Sequence, residues 1–384
     1  MKNLFYVLTL CFVTFGVMSC NNDDTGEAIT QAKDDAKAAY ADFVLASYQA
    51  AYDDAAALKA TIEAFTANPT EATLTATKSA WIQARESYGP TEAFRFADGP
   101  IDLIGADEGP EGLLNSWPLD EAYIDYVDGA ANSGIINDLT NYATIDKALL
   151  ESLNGEGGEE NVSVGYHAIE FLLWGQDLTS PSTKQAGQRP ATDFADGGTA
   201  TNQDRRRAYL EICADLLLDH LQILIDQWEA NGAYRAEFLG YDSDIALAKM
   251  MTAIATLSKT ELAGERMFVA YDNQDQEDEH SCFSDNTHRD VRLNFDGIKA
   301  VYLGLNNSIH DIVLLSDATI AAEVEAAMTA AETAVYATAE PFDFAITDAT
   351  ERPKVLEAVT ALQDLGDKIV EGGNAIGVNA VVLD

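Results

Sequence analysis

The stretch GYHAIEFLLWGQD, residues 165–177, combines an apolar helical run with one histidine and one glutamate. His167 and Glu170 stand three positions apart, so on a helix they project from the same face. Their neighbours are mostly large apolar side chains, which predicts that the segment is buried. Burying a carboxylate is unfavourable unless it is paired or bound to a metal. The pair is therefore the first candidate for a functional site.

Two further observations limit the chemistry of this pair. A histidine and a glutamate at this spacing can simply hydrogen-bond to each other inside a core. The pair is not the His-Glu-x-x-His motif of zinc proteases, because Ala168 and Phe171 occupy the positions of its glutamate and second histidine. The spacing matches, in reverse order, the Glu-x-x-His pairs that line metal sites in helical bundles.

The composition limits the partners of the chain. Its 384 residues are 47% hydrophobic, enough for a sizeable core and for two to three domains. With 64 acidic and 23 basic residues the formal net charge is −41. Such a chain repels nucleic acid and anionic membrane surfaces, so we expect no nucleic-acid partner. It attracts cations, although a negative surface can also serve solubility alone.

The N-terminus has the pattern of a bacterial export signal. Lys2 precedes an apolar run over residues 4–18 that is too short for an ordinary membrane-spanning helix. The run ends in Val-Met-Ser-Cys at residues 17–20, which resembles a lipobox. We expect residues 1–19 to be a signal peptide, Cys20 to carry the lipid anchor and residues 20–30 to form a flexible polar tether. A plain secretory signal with a chance cysteine is the alternative.

Two cysteines remain outside the signal and the anchor. Cys213 and Cys282 would meet an oxidising compartment in an exported protein. They could form one disulfide, but the sequence does not show whether their Cα atoms lie close enough. The pairing is left open at this point.

Helical patterns recur along the whole mature chain, and no window shows convincing strand alternation. The sequence therefore predicts an all-α fold of two antiparallel helical bundles, over residues 31–200 and 201–384. The boundary is placed in a loop with scattered Pro and Gly at residues 178–203. Each half carries a cluster of carboxylates and histidines, which suggests an internal duplication.

Glu92 is the predicted third metal ligand. It follows the helix break at Gly89-Pro90, where a chain end can place a carboxylate in a cleft. Arg85 and Arg95 flank it, and for these two we favour an ion pair at the helix terminus.

A second polar cluster lies between residues 265 and 290. It contains two of the five histidines among many carboxylates, and oxygen and imidazole donors suit iron, manganese or zinc. Helix capping by residues 285–287 would explain part of this polarity without a function. The site candidates from this cluster are His280 as a metal ligand and, with less defined roles, Arg266, Asp278, Asp285 and His288.

Three separated motifs together resemble the imelysin-like family, which is classed among peptidases and includes iron-regulated proteins. The motifs are Gly-x-His-x-x-Glu at residues 165–170, the run over 277–285 and the stretch over 81–96. The resemblance covers residues 30–375. It implies an all-helical fold of two bundles with His167 and Glu170 near their interface, and an outer-membrane or periplasmic location on the lipid anchor.

Two functional hypotheses follow. In the first, a lipid-anchored protein binds a divalent metal, iron or zinc, or an iron-bearing ligand, and serves an iron-uptake machinery. Because one helix supplies only two ligands, other residues must complete the coordination. In the second, the chain is a metallopeptidase in which Glu170 acts as the base. We favour the first, because the sequence lacks a recognisable zinc triad with a general base.

Overall fold

The computed structural model describes residues 22–383. The regular structure of the described chain is almost entirely helical, as predicted, and includes one two-stranded antiparallel hairpin of Leu103–Ile104 and Asp107–Glu108. The α-helices are α1 (Asn22–Ala67), α2 (Glu71–Tyr88), α3 (Glu111–Leu114), α4 (Glu121–Ile124), α5 (Lys147–Leu153), α6 (Gly165–Trp174), α7 (Gln203–Trp228), α8 (Ala233–Gly240), α9 (Ser243–Thr256), α10 (Val269–Asn273), α11 (Thr287–Leu303), α12 (Ile309–Ser316), α13 (Ala318–Tyr336), α14 (Phe342–Thr347) and α15 (Arg352–Ala375).

The helices form two packed groups that share one apolar core. The first group is α1, α2, α6 and α7, and the second is α9, α11, α13 and α15. A boundary near residue 200 would assign α7 to the second group, but α7 packs against α1 and α6. The irregular segment 175–202 is long enough to bring the chain back to the first group. Helix α7, which follows this segment, therefore still belongs to that group.

Helix α6 is the most enclosed helix of the first group, because all ten of its residues are buried. A helix that is apolar on every face is expected to lie inside the core. Gly165 opens it at φ +89°, and a Cβ there would stand 2.6 Å from the Leu114 carbonyl oxygen. Gly175, at φ +69°, ends it. These two glycines let α6 fit into the core and so place His167 and Glu170 there.

The helix break at Gly89-Pro90 does not produce the free chain end that was expected to place Glu92 in a cleft. The chain continues as a 3-10 helix, Gly89–Phe94, which packs against α11. After α9, the chain widens into a π-helical segment, Leu257–Phe268. Such wide turns are often found at functional sites. The 3-10 helix carries Glu92, and the π-helical segment carries Arg266.

Several predictions about the chain ends and cysteines can be compared with the described residues. The flexible tether was predicted over residues 20–30, but its described part, residues 22–30, forms the first turns of α1. Residues 1–19 and Cys20 lie outside the described part. None of the described helices is long and apolar enough to cross a membrane. Cys213 and Cys282 are buried free thiols, so the structure has no disulfide between them.

The contact between α11 and the 3-10 helix depends on Gly297. A Cβ at this position would stand 2.3 Å from the Pro90 carbonyl oxygen. We expect Gly297→Ala to lower the free energy of unfolding by about 1–3 kcal/mol, because the backbones must separate. Gly240→Ala, where nothing lies within 4 Å, is the control and should change it by less than about 0.5 kcal/mol. Equal losses in both variants, measured by urea unfolding, would contradict this close approach.

Candidate functional site

His167 and Glu170 form a directly bonded pair on α6. Nδ1 of the histidine and Oε2 of the glutamate lie 2.8 Å apart, and neither side chain is exposed to solvent. The other glutamate oxygen, Oε1, accepts hydrogen bonds from the Ser284 amide at 2.9 Å and from its hydroxyl at 2.7 Å. The pair is thus tied to residues 274–286, called here the 274–286 segment, between α10 and α11.

A second histidine completes the local arrangement. The rings of His167 and His280 pack edge to face with their centroids 4.7 Å apart. Trp117 covers both, at 5.0 Å from the first ring and 6.4 Å from the second. Nδ1 of His280 lies 3.5 Å from Asp290 Oδ2, which is an electrostatic contact that leaves this nitrogen without a hydrogen-bond partner. Each imidazole therefore has a carboxylate facing its Nδ1 atom.

The electrostatic environment keeps both rings neutral. Burial, together with the neighbouring histidine, holds the pKa of His167 well below its usual range. Burial and the Arg266 guanidinium lower the pKa of His280 to about 4. Burial raises the pKa of Glu170 to about 8, in spite of the two Ser284 donors. Neutral imidazole is the form that binds metals, and Nε2 of His167 is a buried atom without a hydrogen-bond partner.

Asp290 is held in its charged form by its own partners. Its carboxylate accepts hydrogen bonds from Arg85 Nε at 3.1 Å and from the Ser281 hydroxyl. Burial alone would raise its pKa, but the Arg85 guanidinium and the contact with His280 hold the pKa of Asp290 well below its usual range. Asp290 thus offers a fixed negative charge to the second imidazole.

A cavity of about 370 Å³ opens beside this cluster. His280 and Trp117 form part of its wall, whereas His167 lies behind them. The wall contains four acidic and two basic residues, Glu111, Glu261, Glu265, Asp278, Arg95 and Arg266. We call this space the acidic cavity, and His280 is the link between it and the buried pair.

Glu92 is not placed as a free ligand. Its Oε2 atom accepts from Arg266 at 2.6 Å and from Arg95 at 3.2 Å, and Oε1 accepts from Asn115 at 3.2 Å. Burial alone would raise its pKa, but the two guanidiniums lower the pKa of Glu92 to about 2. Both oxygens are occupied, so the contacts give it a structural role and weigh against the predicted one.

The other predicted candidates fall into two places. Arg266 and Asp278 line the acidic cavity. Asp285 and His288 do not reach His167 or His280. Asp285 lies beside Asp177 and Asp343, and Nδ1 of the His288 ring lies 3.0 Å from the Asp285 carbonyl oxygen. The sequence run from 275 to 290 is therefore one cluster along the chain but serves two separate places in the fold.

Sequence reasoning missed several residues that the structure brings to the pair. Ser284 and Asp290 lie inside the polar run that the sequence analysis singled out, but nothing in their type separates them from their neighbours. Trp117 lies in an irregular stretch with three prolines, which has no period to interpret. The contacts of these residues depend on tertiary packing alone.

Fold and site together define an all-helical protein with a buried histidine–glutamate pair on an enclosed helix, beside a second histidine. The chain belongs to the imelysin family, peptidase M75, whose sequence model matches residues 44–369. The resemblance found in the three motifs is therefore confirmed.

Individual relatives agree with this assignment. Iron-regulated protein A of Synechococcus elongatus is 25% identical over 344 residues, covering 85% of this chain and 81% of that protein. Two solved structures share the fold. An iron-regulated protein A precursor from Parabacteroides distasonis has a TM-score of 0.70 at 18% identity, covering 90% of this chain and 95% of that one. An imelysin-like protein from Psychrobacter arcticum 273-4 has a TM-score of 0.64 at 12% identity, covering 92% of this chain and 98% of that one.

The structural role of Glu92 gives a pH-dependent prediction. Its pKa falls from the ordinary value of 4.5 to about 2 on folding, so its stabilisation is present above pH 4.5 and is lost as the pH falls towards 2. We expect Glu92→Gln to lower the free energy of unfolding at pH 7 by about 3 kcal/mol, with or without chelator, and by less at lower pH.

The exposed Glu357, for which the described residues offer no ion pair, provides the control. Glu357→Gln should have little effect on urea unfolding at either pH. A loss in Glu92→Gln that is seen only with metal present would instead return Glu92 to the list of ligands.

Proposed function

We propose that this chain is an exported, lipid-anchored protein that binds a divalent metal ion, iron in the first place, at His167 and His280. The observation that carries the proposal is the edge-to-face packing of two imidazoles with centroids 4.7 Å apart, in which the ring of His167 is held neutral and its Nε2 atom is buried without a partner. A buried nitrogen without a partner is unfavourable in a finished core and requires an explanation.

The residues present fit a metal. Histidines that bind metals usually have their other ring nitrogen facing a carboxylate, which fixes the ring and makes it a better ligand. Glu170 stands in that position for His167, and Asp290 stands there for His280. Glu170 then orients the ligand instead of binding the metal directly, which refines the role that the sequence suggested. Imidazole nitrogen suits iron and zinc, and atoms from the acidic cavity would complete the coordination.

Charge favours the entry of a cation. Four carboxylates and two guanidiniums line the acidic cavity, and the whole chain has a formal net charge of −41. A cleft lined mainly by one sign of charge raises the local concentration of the opposite ion. His280 lies in the wall, so a cation in the cavity meets this ring first.

The names of the relatives support iron as the metal. Iron-regulated protein A of Synechococcus elongatus covers most of this chain, and the solved structure from Parabacteroides distasonis bears the same description. We place the protein in iron uptake on this basis, with an iron ion or an iron-bearing ligand as its partner and an uptake machinery downstream.

The family name raises a metallopeptidase as the alternative. A peptidase needs a base that reaches a water molecule and the peptide bond. Glu170 is fully buried, and both of its oxygens are occupied by His167 and Ser284. These contacts support binding over hydrolysis.

Metal titration of the mature chain tests the proposal. We expect Fe(II), added without oxygen, and Zn(II) to raise the melting temperature with one equivalent bound at the site, and stabilisation of about 2.7 kcal/mol at a hundredfold excess over Kd. His167→Gln and His280→Gln should each weaken binding at least about tenfold. His220→Gln is the matched control and should bind normally. It changes an imidazole of α7 that is bonded to Glu151 of α5.

Two results would contradict the proposal. Equal affinity and stoichiometry in the wild type and in the His167→Gln/His280→Gln double variant would place the metal elsewhere. Cleavage of an unfolded protein substrate that chelator stops and His167→Gln abolishes would favour the metallopeptidase.

The lipid anchor is tested separately, since Cys20 lies outside the described residues. We expect the wild type to sediment with the outer membrane and to incorporate labelled fatty acid, because the cysteine after the signal is the acceptor. Cys20→Ala should lose the label and appear in the soluble envelope fraction, whereas Cys213→Ala should keep the label. Labelled Cys20→Ala protein would refute the anchor.

A further inference from the structure

We propose that the chain contains a second cation site, built only from carboxylate oxygens and suited to calcium, at Asp177, Asp285, Asp343 and Glu279. The first three each offer an oxygen atom, and these atoms all lie within 4.8 Å of one another. The proposal does not depend on the function proposed for His167. We call these four residues the carboxylate cluster.

The carboxylate cluster joins three distant parts of the chain. Asp177 follows the end of α6, Glu279 and Asp285 lie in the 274–286 segment, and Asp343 lies in the first turn of α14. Asp177 and Asp343 are buried, and Asp285 is half-buried. Folding therefore brings acidic groups together from separate segments and shields them from water.

Glu279 is an independent indication of a missing partner. Its side chain is only 1% exposed, and neither carboxylate oxygen has a hydrogen-bond partner. Asp343, Asp285 and Asp177 are its charged neighbours, and the Thr287 hydroxyl also lies near it. Oδ1 of Asp285 is also buried without a partner. Unpartnered buried carboxylate oxygens are among the least favourable groups in a protein unless a cation is present.

Other buried carboxylates of the described chain are treated differently. Glu92 is paired with Arg266, Asp125 with Arg206 and Asp290 with Arg85. In the part of the chain that the structure describes, no such ion pair reaches the carboxylate cluster. The nearby Lys184 amine contacts the Glu340 carbonyl oxygen at 3.0 Å and the Phe344 ring instead.

Repulsion within the carboxylate cluster supports the same conclusion. Burial and the neighbouring carboxylates raise the pKa of Asp285 to about 7. Burial raises the pKa of Asp343 to about 6. A bound cation would offset the unfavourable free energy of burying these carboxylates and would reduce the repulsion between them.

The donors and their spacing favour calcium. Oxygen-only ligands suit hard cations, and Ca²⁺ accepts them at about 2.3–2.6 Å. Two oxygens on opposite sides of Ca²⁺ are then about 5 Å apart, which accommodates the observed limit of 4.8 Å. Mg²⁺ usually keeps several of its waters and binds only one or two carboxylates, so a set of four protein carboxylates suits it less well.

A bound calcium ion would also hold the 274–286 segment in place. The same segment supplies Ser284 to Glu170 and His280 to the ring of His167. Glu279 and Asp285 are direct sequence neighbours of these two residues. The cation would therefore fix the backbone that supports His167 and His280.

The test is calcium titration of the mature chain by calorimetry and thermal unfolding. We expect one Ca²⁺ to bind with a Kd of about 10⁻⁴–10⁻³ M, the range of extracellular calcium modules, and to raise the melting temperature. Asp285→Asn/Asp343→Asn should weaken binding at least about tenfold. Without calcium this variant should melt no lower than the wild type, because repulsion is removed.

Two controls separate this site from other sources of binding. Asp364→Asn changes an exposed acid far from the cluster in sequence and should keep the full calcium response. His167→Gln should also keep it, so failure here and failure of the proposed iron site can be told apart. Circular dichroism verifies that each variant is folded.

Three outcomes would overturn the proposal. One is the absence of any saturable calcium response. Another is an equal response in Asp285→Asn/Asp343→Asn and Asp364→Asn, which would mean that calcium only screens the acidic surface. The third is a stronger response to Mg²⁺ than to Ca²⁺, which would refute the assignment to calcium.

Discussion

The hydrogen bond between His167 and Glu170 inside α6 is the interaction on which the rest of the site depends. An acidic side chain in a helix that is buried on every face requires partners, and Glu170 finds them in its own helix and in Ser284. Satisfying this one carboxylate therefore fixes the 274–286 segment against α6. That in turn brings His280 to the ring of His167 and leaves one ring nitrogen of His167 without a partner.

The buried acids of the chain fall into two sets. One set is neutralised by arginine, as Glu92 is by Arg266 and Asp290 by Arg85. The first pair joins the 3-10 helix to the π-helical segment, and the second joins α11 to α2. The other set, Glu170 and the carboxylate cluster, has no guanidinium partner among the described residues. Since removing a charge from water without compensation is unfavourable, the carboxylate cluster marks a place where a cation is expected, whereas Glu170 is compensated by its bonds to His167 and Ser284 and by a pKa that burial raises to about 8. The two proposed sites share the 274–286 segment between them.

Much of the fold followed from local pattern. The recurring helical periodicity predicted an all-α fold, and burial of His167 and Glu170 followed from the side chains around them. The tertiary contacts did not follow. The packing of α7 with α1, the guanidiniums around Glu92 and the approach of Ser284 all join residues that lie far apart in sequence, where local periodicity carries no information. The sequence placed Asp285 and His280 in one polar cluster. In the structure Asp285 belongs to the carboxylate cluster, whereas His280 packs against His167.

Metal-edge anomalous diffraction from crystals of the mature protein loaded with Zn(II) or Fe(II) shows whether the metal lies at His167. We predict an anomalous peak at about 2.0–2.2 Å from Nε2 of His167, with His280 as a second ligand and Glu170 still bonded to Nδ1. A fully loaded crystal in which His167 has no metal neighbour would contradict this prediction.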